Sequence, residues 1–494
     1  MTEPHKSAPP QDVVPGHPRL RDGQGRERLD DQVPVAQATA ADLQRYDEAN
    51  RQLGQMQVPV LVSRHRPDER LFVAVLDGTG NDMRDPSKGP TTGVAQIHQE
   101  IDRQRAAGLT NVFSGYVNGP GTGAYSNWST DGARGHTFEE RAETMYRQFI
   151  EKSAEWLKQD PKADIRVAAL GFSRGAEEAA YFTRLVDQRG IQDPTGAVYT
   201  TGHDGLVESV RYTKPPLVAP GHVRQAALLD DPVATGDPRN YDRRLPPSVV
   251  SALQITARDE TRDQFIGTQH LPSGFSDGQR ALNVTVPGAH SDIGDGYPAN
   301  GLGTRNTNMA RQYLNGLVDN DKPLLSLRPE AQGQHPNNVI HDSERHHPWL
   351  YTRMGFDRDG VRDVNTQLAA PRYQATPEGG TYQVPPTAEE QRRQPMDPKL
   401  SQGLDYRPLP MAPVPAQPDR AALPTPAAPT TVAEPGHPGN PVYRQALDGL
   451  RNAPTPGLGQ LTEEQQSRAA AALTAVAAEG RDPLRRIDAV MLNR

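Results

Sequence analysis

Ile165-Arg166-Val167-Ala168-Ala169-Leu170-Gly171-Phe172-Ser173-Arg174-Gly175 is the stretch that decides the fold. Its apolar first half predicts a strand buried on both faces, and residues 176–185 follow it with a helical pattern. A serine therefore stands at a sharp turn between a strand and a helix. Glycines at positions 171 and 175 lack a Cβ, which lets the strand and the helix approach each other. The pattern predicts that Ser173 lies at the carboxyl end of a central strand with its hydroxyl exposed.

Gly-x-Ser-x-Gly between a strand and a helix is typical of the nucleophile elbow of α/β-hydrolases. The five-residue pattern alone occurs often by chance, but here both flanking elements lie where the mechanism needs them. An apolar run at 71–76 predicts a first buried strand, and two more strands are predicted near 223–229 and 281–286. Helical patterns separate these strands. We therefore predict an α/β-hydrolase fold, with a largely parallel sheet covered by helices.

A serine hydroxyl is a weak nucleophile and needs a histidine base that a carboxylate orients. In α/β-hydrolases the acid and then the histidine follow the serine, each after a strand. Asp230 and Asp231 follow the apolar run that ends at Leu229. Successive side chains of a strand point to opposite sides, so only one of the two can serve. We predict Asp231 as the acid and keep Asp230 as the alternative; an Asp-Asp-Pro turn without a catalytic role is the third reading.

The base is predicted from position, because the chain contains 14 histidines. His290 lies in a Gly-rich loop directly after the strand predicted at 281–286, where the base of this fold is expected. His341, within a short apolar segment, is the alternative. Three further histidines have less regular surroundings: His203, His222 and His270.

Backbone N–H groups must stabilise the oxyanion of the tetrahedral intermediate. Arg174, which follows the nucleophile, is predicted to supply one N–H. Gly78 or Thr79, in the loop after the first core strand, is predicted to supply the other. Asp77 and Asp82 of the same loop could instead bind a cation, but we favour a hydrogen-bonded turn and predict neither a metal ion nor a cofactor.

Composition restricts the classes of function. The chain of 494 residues has 47 prolines and 44 glycines and is only 35% hydrophobic, which predicts a folded core with disordered flanks. A net charge of −7 without a strongly basic region argues against a nucleic acid partner. The absence of cysteine excludes disulfides, Cys-ligated zinc and thiol chemistry. No apolar run is long enough to span a membrane, and the first residues lack the pattern of a Sec signal peptide. Any export is therefore expected to depend on another signal.

Changes in composition along the chain predict four regions. We expect a flexible N-terminal arm or peripheral cover at 1–67, weakly helical near residues 41–45, and a hydrolase domain at 68–365. A disordered Pro-rich linker is expected at 366–435 and a small α+β module at 436–494. Thr462 and Gln465 are predicted to form a capping box for an Ala-rich helix in this last module.

The predicted hydrolase domain resembles the α/β-hydrolase family that includes type VI secretion lipase effectors of the GxSxG class. The resemblance covers residues of about 70–360 and depends on several ordered segments: residues 77–82, 116–123, 171–176, 231–233, 257–262 and 290–297. It implies phospholipase A1 or A2 activity on glycerophospholipids. The aromatic loop 113–128 is a candidate lid or membrane-contacting surface, although ordinary packing over the sheet explains it equally well.

The C-terminal module resembles the XVIPCD domain of antibacterial type IV secretion effectors. The similar segments are residues 437–438, 442–445, 461–478 and 486–490. This resemblance implies a signal that the coupling ATPase of the secretion channel reads.

Together the two resemblances imply a toxic lipase that is made in the cytoplasm without a signal peptide. It is then delivered into rival bacteria and acts in their periplasm or at their membrane. A cognate immunity protein is expected, since an active phospholipase would threaten its producer. Two other functions remain open: a soluble carboxylesterase or peptidase with the same triad, and a secreted adaptor whose hydrolase fold is inert.

Overall fold

The computed structural model describes residues 19–85, 90–122, 131–345, 362–376, 380–392 and 394–415, together with 443–445 and 447–448. Its contacts divide the chain into two units, 1–418 and 419–494. The elements below belong to the first unit. The module predicted at 436–494 lies outside the described residues except at those five positions.

The strands are β1 (Leu29–Asp30), β2 (Val33–Gln37), β3 (Gln57–Pro59), β4 (Val62–Ser63), β5 (Glu69–Leu76), β6 (Val112–Val117), β7 (Asp164–Phe172), β8 (Ala197–Thr201), β9 (Val207–Tyr212), β10 (Gln225–Asp230), β11 (Val249–Ala257), β12 (Gly267–Thr268), β13 (Gly274–Ser276), β14 (Ala281–Val286), β15 (Val318–Asp319), β16 (Val339–His341), β17 (Val364–Asn365), β18 (Arg372–Ala375), β19 (Thr381–Val384) and β20 (Tyr406–Pro408). The helices are α1 (Ala40–Gln55), α2 (Gly93–Ala106), α3 (Phe138–Gln159), α4 (Arg174–Arg189), α5 (His290–Ile293), α6 (Gly301–Gly316) and α7 (Pro398–Ser401).

One sheet of seven strands, in the order β13-β14-β11-β10-β7-β5-β6, organises the domain. The six strands from β14 to β6 are parallel, and only β13 runs antiparallel at its edge. Because the strands are parallel, their carboxyl ends and the loops that follow them meet at one edge of the sheet, which is where α/β sheets bind ligands. This is the α/β-hydrolase architecture predicted from the sequence.

Helices cover both faces of the sheet. Val73 and Val75 of β5 face a cluster that includes residues of α1, α2 and α6. Phe72 and Ala74 face the opposite cluster, which contains Phe149 of α3 and Phe182 of α4 among others. This alternation follows from the two-residue period of a strand, and burial on both faces explains why β5 is apolar throughout. No helix of the described residues is long and apolar enough to cross a membrane.

The N-terminal segment differs from the flexible arm predicted at 1–67. Helix α1 begins at a capping box between Thr39 and Asp42, and it packs against the sheet through buried Tyr46 and Leu53. The Tyr46 hydroxyl also donates to the Pro287 carbonyl at 2.8 Å. The sequence predicted only a weak helical pattern near residues 41–45, because the apolar residues of this helix are few but lie on one face. Residues 1–18 are outside the described part.

The described residues of 366–415 likewise differ from a disordered linker. Strand β20 pairs antiparallel with β3, and Leu368, Met396 and Leu409 are buried in the domain. Strand pairing satisfies backbone groups whatever the side chains are, so a Pro-rich segment can be held without a periodic apolar pattern. Residues 416–435, and residues 123–130 of the candidate lid, lie outside the described part.

Candidate active site

Ser173 lies at the turn between β7 and α4. Its backbone has φ 59° and ψ −127°, a left-handed conformation that is costly for any residue but glycine. Strain of this kind persists only where the surroundings impose it, and here β7 and α4 impose it from both sides. The turn lifts the serine hydroxyl off the carboxyl edge of the sheet, as a nucleophile elbow does.

The glycines on either side of the turn are required by close backbone contacts. A Cβ on Gly171 would lie 2.1 Å from the Gly175 carbonyl oxygen, and one on Gly175 would lie 2.3 Å from the Leu76 carbonyl oxygen. Both distances are far below van der Waals contact. The sequence-based explanation of these glycines agrees with the packing.

We expect Gly171→Ala to lower the free energy of unfolding by about 3 kcal/mol, since the methyl group meets backbone that cannot move aside as a side chain can. Urea unfolding followed by circular dichroism measures the change. Gly23→Ala is the control, because a Cβ there meets nothing within 4 Å and a surface substitution of this kind costs less than about 0.5 kcal/mol. Equal midpoints for the two variants would contradict the packing argument.

Ser173, His290 and Asp231 lie in one chain of contacts at the carboxyl edge of the sheet. His290 Nε2 is 2.8 Å from the Ser173 Oγ, and His290 Nδ1 is 2.5 Å from Asp231 Oδ2. The residues come from three different elements: the turn after β7, the first residue of α5 and the turn after β10. All three residues are buried, including Ser173, whose hydroxyl was predicted to be exposed.

The carboxylate of Asp231 uses both of its oxygens. Oδ2 faces His290, while Oδ1 accepts the Ala257 N–H at 2.8 Å and the Arg362 guanidinium at 2.5 Å. Burial raises the pKa of Asp231, but the Arg362 charge and the bond to His290 outweigh it and hold the pKa well below the usual value. Asp231 is therefore ionised at neutral pH.

The imidazole of His290 is enclosed by rings and charges. Phe172 stacks on it with centroids 4.7 Å apart, and Phe265 meets it edge-on at 5.0 Å. Its backbone N–H donates to Glu260 at 3.2 Å. Burial lowers the pKa of His290 and outweighs the opposing effect of Asp231, so the ring is neutral at neutral pH. A neutral ring held by Asp231 at Nδ1 can accept a proton at Nε2.

Asp230, the alternative acid, points away from His290. Its carboxylate accepts Asn306 Nδ2 at 2.9 and 3.1 Å, and only its backbone carbonyl touches the elbow, by accepting the Ser173 N–H at 3.0 Å. Burial raises the pKa of Asp230 well above the usual value. Its carboxylate is engaged by Asn306 and makes no described contact with His290, so it is not placed to orient the imidazole.

His341, the alternative base, lies in a different cluster. Its Nδ1 is 2.6 Å from Asp292 and its Nε2 is 3.0 Å from Asp30, and its ring stacks on Tyr297 at 3.8 Å. Since Asp292 is on the same short helix as His290, His341 ties the N-terminal segment to the helix that carries the candidate base.

This histidine should make stability depend on pH. Burial lowers the pKa of His341, but the two carboxylates outweigh it and raise the pKa to about 9. A folded-state pKa above the unfolded value means that the contribution is complete below about 6.5 and is lost as pH rises through 9. We expect the free energy of unfolding to fall by on the order of 2 kcal/mol across that interval. His341→Gln should remove the dependence, and urea unfolding at intervals of half a pH unit tests it; an equal slope in both proteins would contradict it.

Three further histidines were named from the sequence: His203, His222 and His270. His270 is buried and is 3.1 Å from Glu177. His203 and His222 are exposed.

The loop after β5 is fixed by hydrogen bonds of Asp77. The carboxylate accepts the Gly78 N–H at 2.8 Å, Thr92 Oγ1 at 2.8 Å and the Tyr116 hydroxyl at 2.6 Å. Burial raises its pKa to about 6. These bonds agree with a hydrogen-bonded turn, and they engage the N–H that Gly78 was predicted to offer an oxyanion.

Thr79 and Arg174 lie against each other across the elbow. Arg174 Nη1 donates to Thr79 Oγ1 at 2.7 Å and to the Gly132 carbonyl at 2.7 Å. No hydrogen bond between described residues engages the Thr79 N–H. The Arg174 N–H opens α4 and is one of the donors that a helix leaves without an internal partner. In the described part of the chain, no three His, Cys, Asp or Glu side chains are grouped as a metal site requires.

Sequence reasoning missed several residues around the candidate triad. Arg362, Glu260 and Asn306 contact Asp231, His290 and Asp230 from elements far away in sequence. Strand β11, which supplies the Ala257 N–H, was not predicted either, although its run of apolar residues is a signal of a buried strand. No sequence pattern around Arg362 indicates its contact with Asp231, because that contact depends on how two distant segments pack together.

Two family models match the chain. Residues 70–202 match the catalytic domain of Tle1-like type VI secretion phospholipase effectors, and residues 433–494 match the XVIPCD domain of X-Tfes. No curated protein matches the chain. Both resemblances stated from the sequence are thus confirmed, each over the stretch that its model covers.

Solved structures show only remote similarity. An uncharacterised protein from Pseudomonas aeruginosa is 15% identical with a TM-score of 0.36, over 69% of this chain and 56% of that one. The Tle1 effector bound to the VgrG spike is 19% identical with a TM-score of 0.29, over 49% and 52%. Esterase 2 of Thermogutta terrifontis is 12% identical with a TM-score of 0.25, over 63% and 98%. The chain spans about half the length of the first two.

An α/β-hydrolase sheet with a serine elbow therefore carries the sequence signature of a lipase effector's catalytic domain, and the same chain ends in the signature of a secretion domain. The chain is therefore similar to Tle1-like phospholipase effectors over residues 70–202 and to X-Tfes over residues 433–494.

Proposed function

We propose that this protein is an antibacterial phospholipase A that uses Ser173 as nucleophile, His290 as general base and Asp231 as the acid that orients the histidine. Its substrates are the acyl esters of membrane glycerophospholipids in target bacteria. The observation that carries the proposal is the contact chain Ser173–His290–Asp231 at the carboxyl edge of the sheet.

Acylation begins when Ser173 Oγ attacks the carbonyl carbon of an acyl ester while His290 Nε2 takes its proton. Asp231 stabilises the imidazolium that forms. The tetrahedral intermediate then collapses, the bond to the glycerol oxygen breaks, and His290 returns the proton to that oxygen. A lysophospholipid leaves and the acyl group stays on Ser173. Water activated by His290 attacks this ester in the second half, releasing a fatty acid and restoring the serine.

The oxyanion of each intermediate needs donors that are fixed before the reaction. We assign this role to the N–H groups of Arg174 and Thr79. The Arg174 side chain supports the assignment, since its bonds to Thr79 and to the carbonyls of Gly132, Ala133 and Thr235 hold together the segments around the elbow. Gly78 then shapes the loop after β5: a Cβ there would lie 2.6 Å from the Phe172 ring, and its N–H donates to Asp77.

Export and partners follow from the C-terminal match. We propose that residues 433–494 are read by the coupling ATPase of a type IV secretion channel, and that the enzyme acts in the periplasm or at the membrane of the recipient. A cognate immunity protein would protect the producer.

Vesicles made of a phospholipid with different acyl chains at its two positions test the proposal. Each turnover should release one fatty acid and one lysophospholipid, and mass spectrometry of the products identifies which ester is cut. Hydrolysis of soluble esters without any release from vesicles would favour the soluble carboxylesterase. No hydrolysis of any ester, together with harmless expression in the bacterial periplasm, would favour the inert adaptor.

A further inference from the structure

A guanidinium group reaches the candidate acid from a distant part of the chain. Arg362 Nη1 lies 2.5 Å from Asp231 Oδ1 and 3.0 Å from the Ala257 carbonyl. Arg362 Nη2 and Nε donate to the Phe265 carbonyl at 2.7 and 3.1 Å. The Arg362 side chain is itself almost fully buried, with 6% of its surface exposed.

The segment after Arg362 is fastened to the domain independently of that ion pair. Strand β17 pairs with β12, and the Gly267 N–H donates to the Asp363 carbonyl at 3.1 Å. Buried Arg243 donates to the Gln367 carbonyl at 2.6 Å. These backbone contacts hold the segment next to residue 362 in place. The position of Arg362 beside Asp231 therefore does not depend on the ion pair alone.

The two oxygens of Asp231 have separate partners, so Arg362 does not compete with His290. Oδ1 takes the guanidinium and the Ala257 N–H, which leaves Oδ2 to His290. An unpaired buried carboxylate would shift toward its protonated form. A cation on Oδ1 opposes that shift, and it also opposes a second positive charge on the nearby imidazole.

We propose that Arg362 is a positioning residue of the active site: it holds Asp231 ionised and in register with His290, and together with burial it keeps His290 unprotonated and available as the base. This inference depends on the proposed function, because it assigns Arg362 a role through the same triad.

Other charged groups also face His290. Asp231 lies after β10 and Glu260 after β11. Burial has the largest effect on the pKa of His290 and lowers it. The two carboxylates raise that pKa, whereas Arg362 lowers it. Arg262 is paired with Glu260 at 2.7 Å. On its own helix, Asp292 is engaged by His341. Since the positive charge of Arg362 lowers the pKa of His290, its removal should raise that pKa.

The test compares the pH profile of kcat/KM for fatty acid release by the wild type, Arg362→Gln and Arg362→Lys. The acid limb reports protonation of the free enzyme's base. We expect Arg362→Gln to move this limb to higher pH by about one unit and to lower kcat by about 10- to 100-fold. Arg362→Lys keeps the charge without the planar fork, so its limb should stay in place while kcat falls several-fold.

Arg166→Gln is the matched control. Arg166 is also buried and paired with carboxylates, Glu69 at 2.9 Å and Asp164 at 2.6 Å, but it lies near the amino end of β7, at the edge of the sheet opposite Ser173. Its loss should lower the unfolding midpoint without moving the acid limb.

An acid limb that stays in place in Arg362→Gln would overturn the inference while leaving the proposed function intact. If that variant does not fold, Arg362→Lys decides: a limb displaced upward although the charge is kept would overturn it, and an unmoved limb with reduced kcat supports it. A wild type that cuts no phospholipid defeats the proposed function instead.

Discussion

Ser173→Ala is expected to lower kcat for fatty acid release from phospholipid vesicles by about 10⁴- to 10⁶-fold. The substitution removes the hydroxyl that lies 2.8 Å from His290 Nε2, and with it the covalent route through an acyl-enzyme. Residual hydrolysis should come from substrate binding and the oxyanion donors alone. Titration of released fatty acid measures the loss, and circular dichroism confirms that the variant is folded.

Ser114→Ala is the matched control for this experiment. Ser114 is another buried serine on a parallel strand, and its Oγ lies 2.8 Å from His98 Nδ1. His98 Nε2 is in turn 3.3 Å from Asp102, so the three side chains imitate a triad. Ser114 lies within β6 rather than on an elbow. Its replacement should change kcat less than about threefold, and a large loss in that variant would move the nucleophile away from Ser173.

Local patterns were sufficient to predict the parts of this site that are determined locally. The elbow needs a strand, two glycines, a serine and a helix in one continuous stretch, and all of these are visible between residues 165 and 185. His290 was also predictable, because the strand and the Gly-rich turn before it are adjacent in sequence.

Contacts between segments that are distant in sequence could not be predicted from local patterns. Nothing near Arg362 indicates that its guanidinium reaches Asp231, and nothing near Tyr46 indicates that its hydroxyl reaches Pro287. The 366–415 segment shows a related failure: its composition predicts disorder, yet β20 pairs with β3, since a free strand edge binds backbone rather than a particular sequence. Which segments lie next to each other is fixed by the topology of the whole sheet.

Asp231→Asn should lower kcat by about 10⁴-fold while leaving the fold of the site in place, because an amide can present its NH₂ group to His290 and fix the wrong tautomer. Asp230→Asn is its neighbour and control. Asp230 contacts Asn306 rather than His290, so its replacement should change kcat only a few-fold. Steady-state release of fatty acid from vesicles measures both variants, and equal losses would show that the two aspartates had not been distinguished.

The two substitutions should also change the free energy of unfolding in opposite directions. Asp231 is ionised and paired with buried Arg362, so Asp231→Asn leaves that cation without its partner and should lower the free energy of unfolding by about 3 kcal/mol. The pKa of Asp230 is raised by burial, so the folded state binds its proton more tightly than the unfolded state does. Its ionisation therefore costs stability progressively as pH rises above the unfolded value of about 4. Asp230→Asn removes that cost, and unfolding by urea at pH 5 and pH 8 should show the variant gaining on the wild type at the higher pH. An aspartate whose pKa the fold raises and one whose pKa it lowers thus stand next to each other at the end of β10, and only the second contacts the candidate base.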